Sequence, residues 1–250
     1  LFTGANLSPE LTNMLRSYLL VMTRPIAVRS SGLFEDSLVQ PFAGVYNTYV
    51  LPNNHRDIEV CLKQLSTAIK LVYASVFSQS ARAYFEAVHY KIEEEQMAVI
   101  LQELVGNRIG DRFYPNISGV AQSYNYYPFG YMKPDDGFAV IAVGLGKYVV
   151  GGEKAYRFCP KHAKLELNSI SDQIKDSQNS FYALALEPSD FDMADFDEDS
   201  TLVRLPIREA EEEATANRDR AERVGGFLRA LQAGLDSGGE LVGSSGRAVE

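Results

Sequence analysis

A stretch near the start of the chain combines a cation, hydroxyls and glycine in an order suited to binding phosphate. Residues 26–28, Ile-Ala-Val, form a short apolar run that predicts a buried strand. Arg29, Ser30 and Ser31 follow it directly. Arginine offers fixed, bidentate donors to phosphate oxygens, and glycine lets backbone N–H groups approach an anion closely. The stretch therefore indicates a polyphosphate site, completed by residues farther along it: Glu35, Asp36, Phe42, Ala43, Gly44 and Thr48.

A simpler interpretation of the same residues is available. An apolar strand followed by Arg-Ser-Ser occurs in many proteins, where the arginine is only a solvent-exposed loop residue. The order of the whole block from Ile26 to Thr48 favours the phosphate site over this alternative.

This block resembles a known family. The strings A-V-R-S-S, E-D and F-A-G, followed by Thr48 four residues after Gly44, are similar to the nucleotide-binding domain of the phosphoenolpyruvate synthase and pyruvate phosphate dikinase family. That domain belongs to the ATP-grasp superfamily. The resemblance implies that ATP is the bound cofactor, that Arg29 is the charge clamp on its phosphates, and that Ser30, Gly44 and Thr48 lie at the phosphates.

Three later blocks extend the resemblance to about Phe158. Met97–Val105 is similar to the family's M-A-V-x-x-Q-x-M-V, which precedes the hinge where adenine binds, so Gln102 and Glu103 are expected on the base side of ATP. The alternative for Gln102 is a buried glutamine bonded to neighbouring backbone. Ser118–Val120 matches S-G-V, and Gly144–Gly152 matches G-L-G-E-x-V-V-x-G with Lys147 in place of the glutamate.

Composition narrows the class of protein. The chain has 250 residues and a net charge of −9, which disfavours nucleic acid or an anionic membrane as partner. Its two cysteines, Cys61 and Cys159, lack the neighbouring ligands of a metal site, and they suit a reducing cytoplasm. The longest apolar runs, such as 138–143, are strand-sized, so no membrane span is predicted.

Hydrophobic periodicity predicts an α+β fold. The resemblance makes it ATP-grasp-like, with mixed or antiparallel sheets flanked by helices. The expected strands lie near 26–29, 45–50, 98–101, 117–124, 138–143, 154–158 and 181–186. The expected helices are 9–22, a long one capped by Asn54 over 58–77, 80–92 and 208–235. Between them the sequence predicts a solvated charge run at Glu93–Glu95, a polar turn over 106–114, and aromatic residues at 124–131 that pack between strands or stack a ring.

The predicted domain organisation has three parts. An incomplete ATP-grasp-like nucleotide-binding region covers 1–160, a variable acidic segment covers 161–205, and a charged helix with a Gly/Ser-rich, disordered tail covers 206–250. Two parts of the family's site are not found: a lysine near the start of the domain, and a late D-x-E followed by Q-x-R-P that would bind Mg²⁺. The stretch 195–197 is D-x-D, and no metal role is carried onto it.

Two function hypotheses remain open from the sequence. In the first, the chain is the ATP-binding portion of a phosphotransferase of this family, which passes phosphate from ATP to a histidine on another domain and from there to a phosphoenolpyruvate/pyruvate domain. In the second, it is a non-catalytic module of the same fold used for regulation or protein interaction. The chain begins at Leu1 rather than Met, and we expect a fragment that binds ATP only at roughly millimolar levels because charge-assisted phosphate contacts are missing.

The acidic stretch from Asp190 to Asp199 yields a prediction of its own. It lacks the glycine and terminal glutamate of a calcium-binding loop, and its charges repel one another, so we expect a highly mobile, solvated loop that binds no metal in ordinary buffer. Calorimetry with calcium checks this, and micromolar binding that disappears in Asp195→Ala would contradict it.

Overall fold

The fold is known from a computed structural model, which describes residues 2–35, 44–89, 91–162, 177–193 and 197–216. The chain divides into two compact units that are each built from two stretches of sequence. Unit 1 combines Leu1–Leu104 with Leu184–Val203, and unit 2 combines Val105–Ala183 with Arg204–Glu250. Three parts of the sequence predictions lie outside the described residues: Asp195, the part of the expected helix 208–235 that follows Ala216, and the Gly/Ser-rich tail.

Helices and short antiparallel strands make up both units, which confirms the predicted α+β class. Up to Leu104 the regular elements are α1 (Pro9–Val21), β1 (Ile26–Gly32), β2 (Tyr49–Leu51), α2 (Ile58–Ser75), α3 (Gln79–Val88) and β3 (Met97–Glu103). Beyond Leu104 they are β4 (Asn107–Ile109), β5 (Arg112–Tyr114), β6 (Ser118–Gln122), β7 (Phe138–Ala142), α4 (Lys147–Val150), β8 (Tyr156–Phe158), β9 (Ser180–Ala185), β10 (Leu202–Pro206) and α5 (Ile207–Ala216).

Side-chain caps fix where the helices of unit 1 begin. The Ser8 hydroxyl accepts a hydrogen bond from the Leu11 N–H at 3.2 Å, which satisfies a donor that α1 itself cannot pair. α2 begins after Asp57, whose carboxylate accepts from the Glu59 N–H at 3.0 Å. The prediction that Asn54 caps this helix is therefore wrong, because the Asn54 amide instead donates to the Leu186 carbonyl at 2.7 Å.

The sheet of unit 1 has the strand order β2-β1-β3, and both pairings are antiparallel. Val28 in the central strand lies opposite Tyr49 on one side and Leu101 on the other. The predicted strand over 45–50 is shorter than expected, because regular pairing begins only at Tyr49.

One face of this sheet forms the main core together with α1 and α2. Ile26 and Val28 are fully buried, as are Leu65 and Val72 of α2. The apolar stripe of α2 therefore has the structural role that its helical spacing predicts. The remaining buried members of this core are Leu15, Leu19, Tyr49, Leu51, Cys61, Leu62, Ala68, Ile69 and Met193.

The stretch Ile58–Val88 is long and apolar enough, by length and composition alone, to cross a membrane. In the structure it contains two helices, α2 and α3, and 56% of its most apolar window is buried inside the protein. The buried residues of α2 belong to the core just described. The hydropathy of this stretch is thus accounted for by a core helix.

The described part of the acidic segment is held against α2. Gln64 donates through its amide to the carbonyls of Ser189 and Phe191, at 3.0 and 3.3 Å. Met193 is 2% exposed, so the expectation of a fully solvated loop is wrong for this residue, whose apolar side chain belongs in the core. The carboxylates of Asp190 and Asp192 are exposed, as expected.

Two further sheets have the strand orders β10-β9-β5-β4 and β6-β7-β8, and the pairings β4–β5, β6–β7 and β7–β8 are antiparallel. The stretch predicted as a polar turn over 106–114 is instead the hairpin β4–β5, in which Asn107 pairs with Tyr114. Phe113 and Tyr114 are buried, which explains why this short segment is structured.

The aromatic residues after β6 do not pack between strands, so that expectation is wrong. Tyr126, Tyr127, Phe129 and Tyr131 are between 64% and 82% exposed. The buried Asn125 holds the segment instead. Its side-chain Oδ1 accepts a hydrogen bond from the Tyr127 N–H at 3.1 Å, and its backbone N–H donates to the Pro134 carbonyl at 2.7 Å.

Burial in α2 leads to a stability prediction. Leu65→Ala removes a fully buried side chain from the centre of the main core and should lower the free energy of unfolding by about 2–5 kcal/mol. Lys63→Ala, two residues earlier in the helix and 69% exposed, should change it by about 0.5 kcal/mol or less. Chemical denaturation followed by circular dichroism measures both, and equal losses would contradict the assigned packing.

Candidate functional site

The site predicted from the sequence centres on the face of the unit 1 sheet that lies opposite the core. In β1, buried and half-buried residues alternate, so Ile26 and Val28 face the core and Arg29 faces the other way. Arg29 lies opposite Ile100 in β3, and Ala27 lies opposite Gln102. Residues directly opposite each other share a face, so Arg29 and Gln102 are close neighbours on this side, which we call the open face.

Arg29 is available for an anion. Its side chain is half-buried, and the guanidinium makes no hydrogen bond or ion pair with the part of the chain that the structure describes. A fixed cation beside a strand, with its donors unused, is the geometry that bidentate phosphate binding needs.

Thr48 and Gly44 lie on the approach to β2. The ladder between β1 and β2 ends at the pair Val28–Tyr49, so Thr48 is one residue beyond it, at the register position of Arg29. Thr48 is exposed. Gly44 is also exposed and has φ +80°, a left-handed conformation that glycine adopts without strain. Asp36, Phe42 and Ala43, also named in the sequence block, lie outside the described residues.

Two predicted contacts point to the other face. Ser30 is 2% exposed and lies on the core side of β1. Glu103 lies opposite Ile26, and its carboxylate accepts from the Arg24 guanidinium at 2.8 Å. Because side chains alternate strictly along a strand, the structure does not bring these two side chains together with Arg29, Thr48 and Gln102.

A carboxylate absent from the sequence prediction lies at the exit of β1. Glu95 Oε1 accepts from the Leu33 N–H at 2.7 Å, and Glu95 Oε2 accepts from the Tyr46 hydroxyl at 2.5 Å. The expectation of a solvated charge run is therefore wrong for Glu95, which is half-buried, although Glu93 and Glu94 are exposed.

Tyr46 is held in a small second core. Its side chain is 6% exposed and packs with Val76, Ala81 and Phe85. Burial, followed by the hydrogen bond to Glu95, raises the pKa of the Tyr46 hydroxyl well above its ordinary value. The phenol therefore stays protonated and serves as the donor to the carboxylate.

The later family-like blocks form a separate arrangement within unit 2. Leu145 N–H donates to the Tyr182 carbonyl at 2.8 Å, which fixes the G-L-G turn before α4. The Ser118 hydroxyl, in the S-G-V block, is buried and is the one such side-chain atom without a hydrogen-bond partner in the described residues. It borders the turn, since a side chain added at Gly146 would come within 3.9 Å of the Ser118 Cβ.

Comparison with known proteins identifies the family. Residues 1–200 match the family model described as the pyruvate phosphate dikinase AMP/ATP-binding domain. This match covers most of the chain. The chain belongs to this family.

A curated relative supports the same assignment. The chain is 29% identical over 153 residues to a phosphoenolpyruvate synthase from Aeropyrum pernix. The match covers 60% of this chain but only 16% of that protein. The chain therefore corresponds to a small part of a much longer relative.

Family membership makes ATP the cofactor to test against the observed residues. The open face supplies a cation that makes no ion pair with any described residue, an exposed hydroxyl and a side-chain amide, which fit the phosphates and the base of ATP. Mg²⁺ is different, because among the described residues no group of three or more His, Cys, Asp or Glu side chains could hold a metal ion.

One signal in the sequence could have revealed Glu95. Glu95 lies two residues before Met97, so it follows the same alternation as Met97, Val99 and Leu101, which pack against the main core from β3. The Leu33 N–H also bonds to the Gln96 carbonyl at 3.0 Å, so contact between the two chain segments continues past the end of the strands. Continuing the alternation two residues upstream of β3 would have placed Glu95 on the inner side.

The conformation of Gly44 gives a prediction. Gly44→Ala should cost about 1 kcal/mol of stability, because an L side chain is strained at φ +80°, and Gly44→Asn should cost less. Gly146→Ala is the matched control, since Gly146 has φ −58° and a side chain there meets nothing closer than 3.9 Å. Thermal unfolding compares the three variants, and an unaffected Gly44→Ala would contradict the left-handed assignment.

Proposed function

We propose that the chain is the ATP-binding portion of a phosphotransferase related to phosphoenolpyruvate synthase and pyruvate phosphate dikinase, with an ATP-grasp-like arrangement. The observation on which the proposal depends is the position of Arg29. Its guanidinium has no partner among the described residues, and it lies on the open face, two register positions from Gln102, in a chain of the AMP/ATP-binding family.

In this proposal the residues have separate tasks. Arg29 clamps the phosphates through paired N–H donors. The Thr48 hydroxyl and the Gly44 backbone N–H add donors beside it. Gln102 contacts the base side through its amide, and Glu103 follows it in the chain on the opposite face, where only its backbone can take part.

The reaction itself needs more than this chain. Phosphoryl transfer depends mainly on positioning and charge stabilisation, so the ATP-binding portion holds the donor while the acceptor is brought to it. In the parent protein, a phosphoryl group would leave ATP for a histidine on a phosphohistidine domain, releasing the rest of the nucleotide. It would then pass to a phosphoenolpyruvate/pyruvate domain. Because the described residues offer no metal cluster, we assign no step to Mg²⁺ in this chain.

The same proposal covers location and other partners. An acidic chain with net charge −9 has no general affinity for nucleic acid, and both cysteines are free thiols, which suits the cytoplasm. Neither nucleic acid nor a membrane belongs to the proposed function.

Replacing Arg29 tests the proposed phosphate contact. Arg29→Ala should weaken ATP binding by about tenfold or more, because a charge-assisted contact contributes about 1.5–3 kcal/mol. The matched control is Arg82→Ala, which removes the same charge from an exposed position on α3 and should leave binding unchanged. Equilibrium titration of ATP against the wild type and both variants measures this, and ATP binding that is indifferent to Arg29 would overturn the proposed site.

A further inference from the structure

The two oxygens of the Glu95 carboxylate bind two points that are distant in sequence. One point is the backbone N–H of Leu33, immediately after β1, and the other is the hydroxyl of Tyr46, shortly before β2. These points lie in the two described parts of the connection between β1 and β2, residues 33–35 and 44–48. A single side chain from a third segment thus ties both ends of this connection together.

The local backbone is shaped to admit this carboxylate. Gly32 is buried, and a side chain added there would come within 3.1 Å of both Glu95 Oε1 and the Tyr46 ring. Such contacts are tighter than nine in ten real ones, so Glu95 or Tyr46 would have to shift by a few tenths of an ångström. Both oxygens of Glu95 are already bonded, and a shift would strain those bonds. The absence of a side chain at Gly32 therefore leaves room for Glu95 and Tyr46 to meet without strain.

Apolar packing holds the same two ends. Phe34, next to Leu33, contacts the ring of Phe85 edge-on, with centroids 5.9 Å apart. Tyr46 packs against Phe85 and Ala81 in the second core. The polar tie therefore lies next to the apolar contacts of the second core, which hold Phe34 and Tyr46.

We propose that Glu95 is a positioning residue for the nucleotide: by tying Tyr46 to Leu33 at the end of β1, it fixes the described stretch 44–48, so that Thr48 is held at the register position of Arg29 and Gly44 on the same approach to β2. This inference rests on the proposed function, because it assigns the connection to the phosphates of ATP. Glu95 itself touches no phosphate, since its oxygens are used within the protein.

The position of the tie predicts which nucleotide, ATP or AMP, loses more binding affinity when the tie is removed. Gly44 and Thr48 lie on either side of Tyr46 in the chain, so releasing Tyr46 displaces the phosphate side of the site. Gln102, on the base side, is held by the pairing of β1 with β3 and does not depend on Glu95. ATP, with its longer phosphate chain, should therefore lose more affinity than AMP.

The test compares Glu95→Ala and Glu95→Gln with Glu94→Ala, an exposed glutamate one position away. Binding of ATP and AMP is titrated separately, amide hydrogen exchange is followed in peptides covering 30–35 and 44–49, and thermal unfolding reports overall stability. We expect Glu95→Ala to weaken ATP binding about tenfold, to leave AMP binding little changed, and to speed exchange in both peptides.

The conservative variant and the control distinguish a positioning role of Glu95 from a general loss of structure. Glu95→Gln keeps an oxygen for Leu33 and an amide that can donate to Tyr46, so it should restore most of the ATP affinity. Glu94→Ala should behave like the wild type. A merely structural role would instead lower ATP and AMP binding equally.

Three results would overturn the inference: unchanged exchange in Glu95→Ala, unchanged ATP binding despite faster exchange, or equal losses for ATP and AMP. Tyr46→Phe keeps the packed ring and removes only the hydroxyl, so it should show a milder form of the same pattern even if Glu95→Ala fails to fold. If the wild type binds neither nucleotide, the proposed function and the nucleotide role of Glu95 fail together, while the exchange comparison still shows whether the tie itself exists.

Discussion

The placement of the central strand β1 is the constraint on which the rest of unit 1 depends. Its register is fixed by antiparallel partners on both sides and by two fully buried residues, Ile26 and Val28, that pack on the helices. A slip of one residue would exchange the two faces of the strand and bury the guanidinium of Arg29. The hydrophobic core therefore decides where the cation lies, and the chemistry of the open face is a consequence of packing on the opposite one.

Long, strongly periodic segments of this chain were predictable from sequence. The helix expected over 9–22 is observed at Pro9–Val21, and the strand expected at 98–101 is the centre of β3. The helix expected over 80–92 ends earlier, at Val88, because His89 adopts a left-handed conformation with φ 58° that closes the helix. The hairpin β4–β5 was missed because strands of three residues give too short an alternation to detect.

The candidate site was only partly predictable, for a related reason. Residue types identified Arg29 and Gln102, whereas strand parity decides that Ser30 and Glu103 face away from them. Glu95 was hidden inside a run of three glutamates, where composition indicates solvent. Its role depends on a tertiary contact with Tyr46, 49 positions away in the sequence, which no local pattern encodes. The compact units are likewise discontinuous in sequence, which no local pattern encodes. The functional division into the intervals 1–160, 161–205 and 206–250 stays a prediction.

The two-point attachment at Glu95 also has an entropic meaning. Bringing the ends of a flexible chain segment together costs conformational freedom, and here that cost is met on folding, before any ligand arrives. Ligand binding then meets a Tyr46 side chain that packing and the tie have already placed, so less conformational freedom is lost on binding than if Tyr46 were free. One anchor is a backbone N–H, at Leu33, so the tie depends little on which side chain occupies position 33.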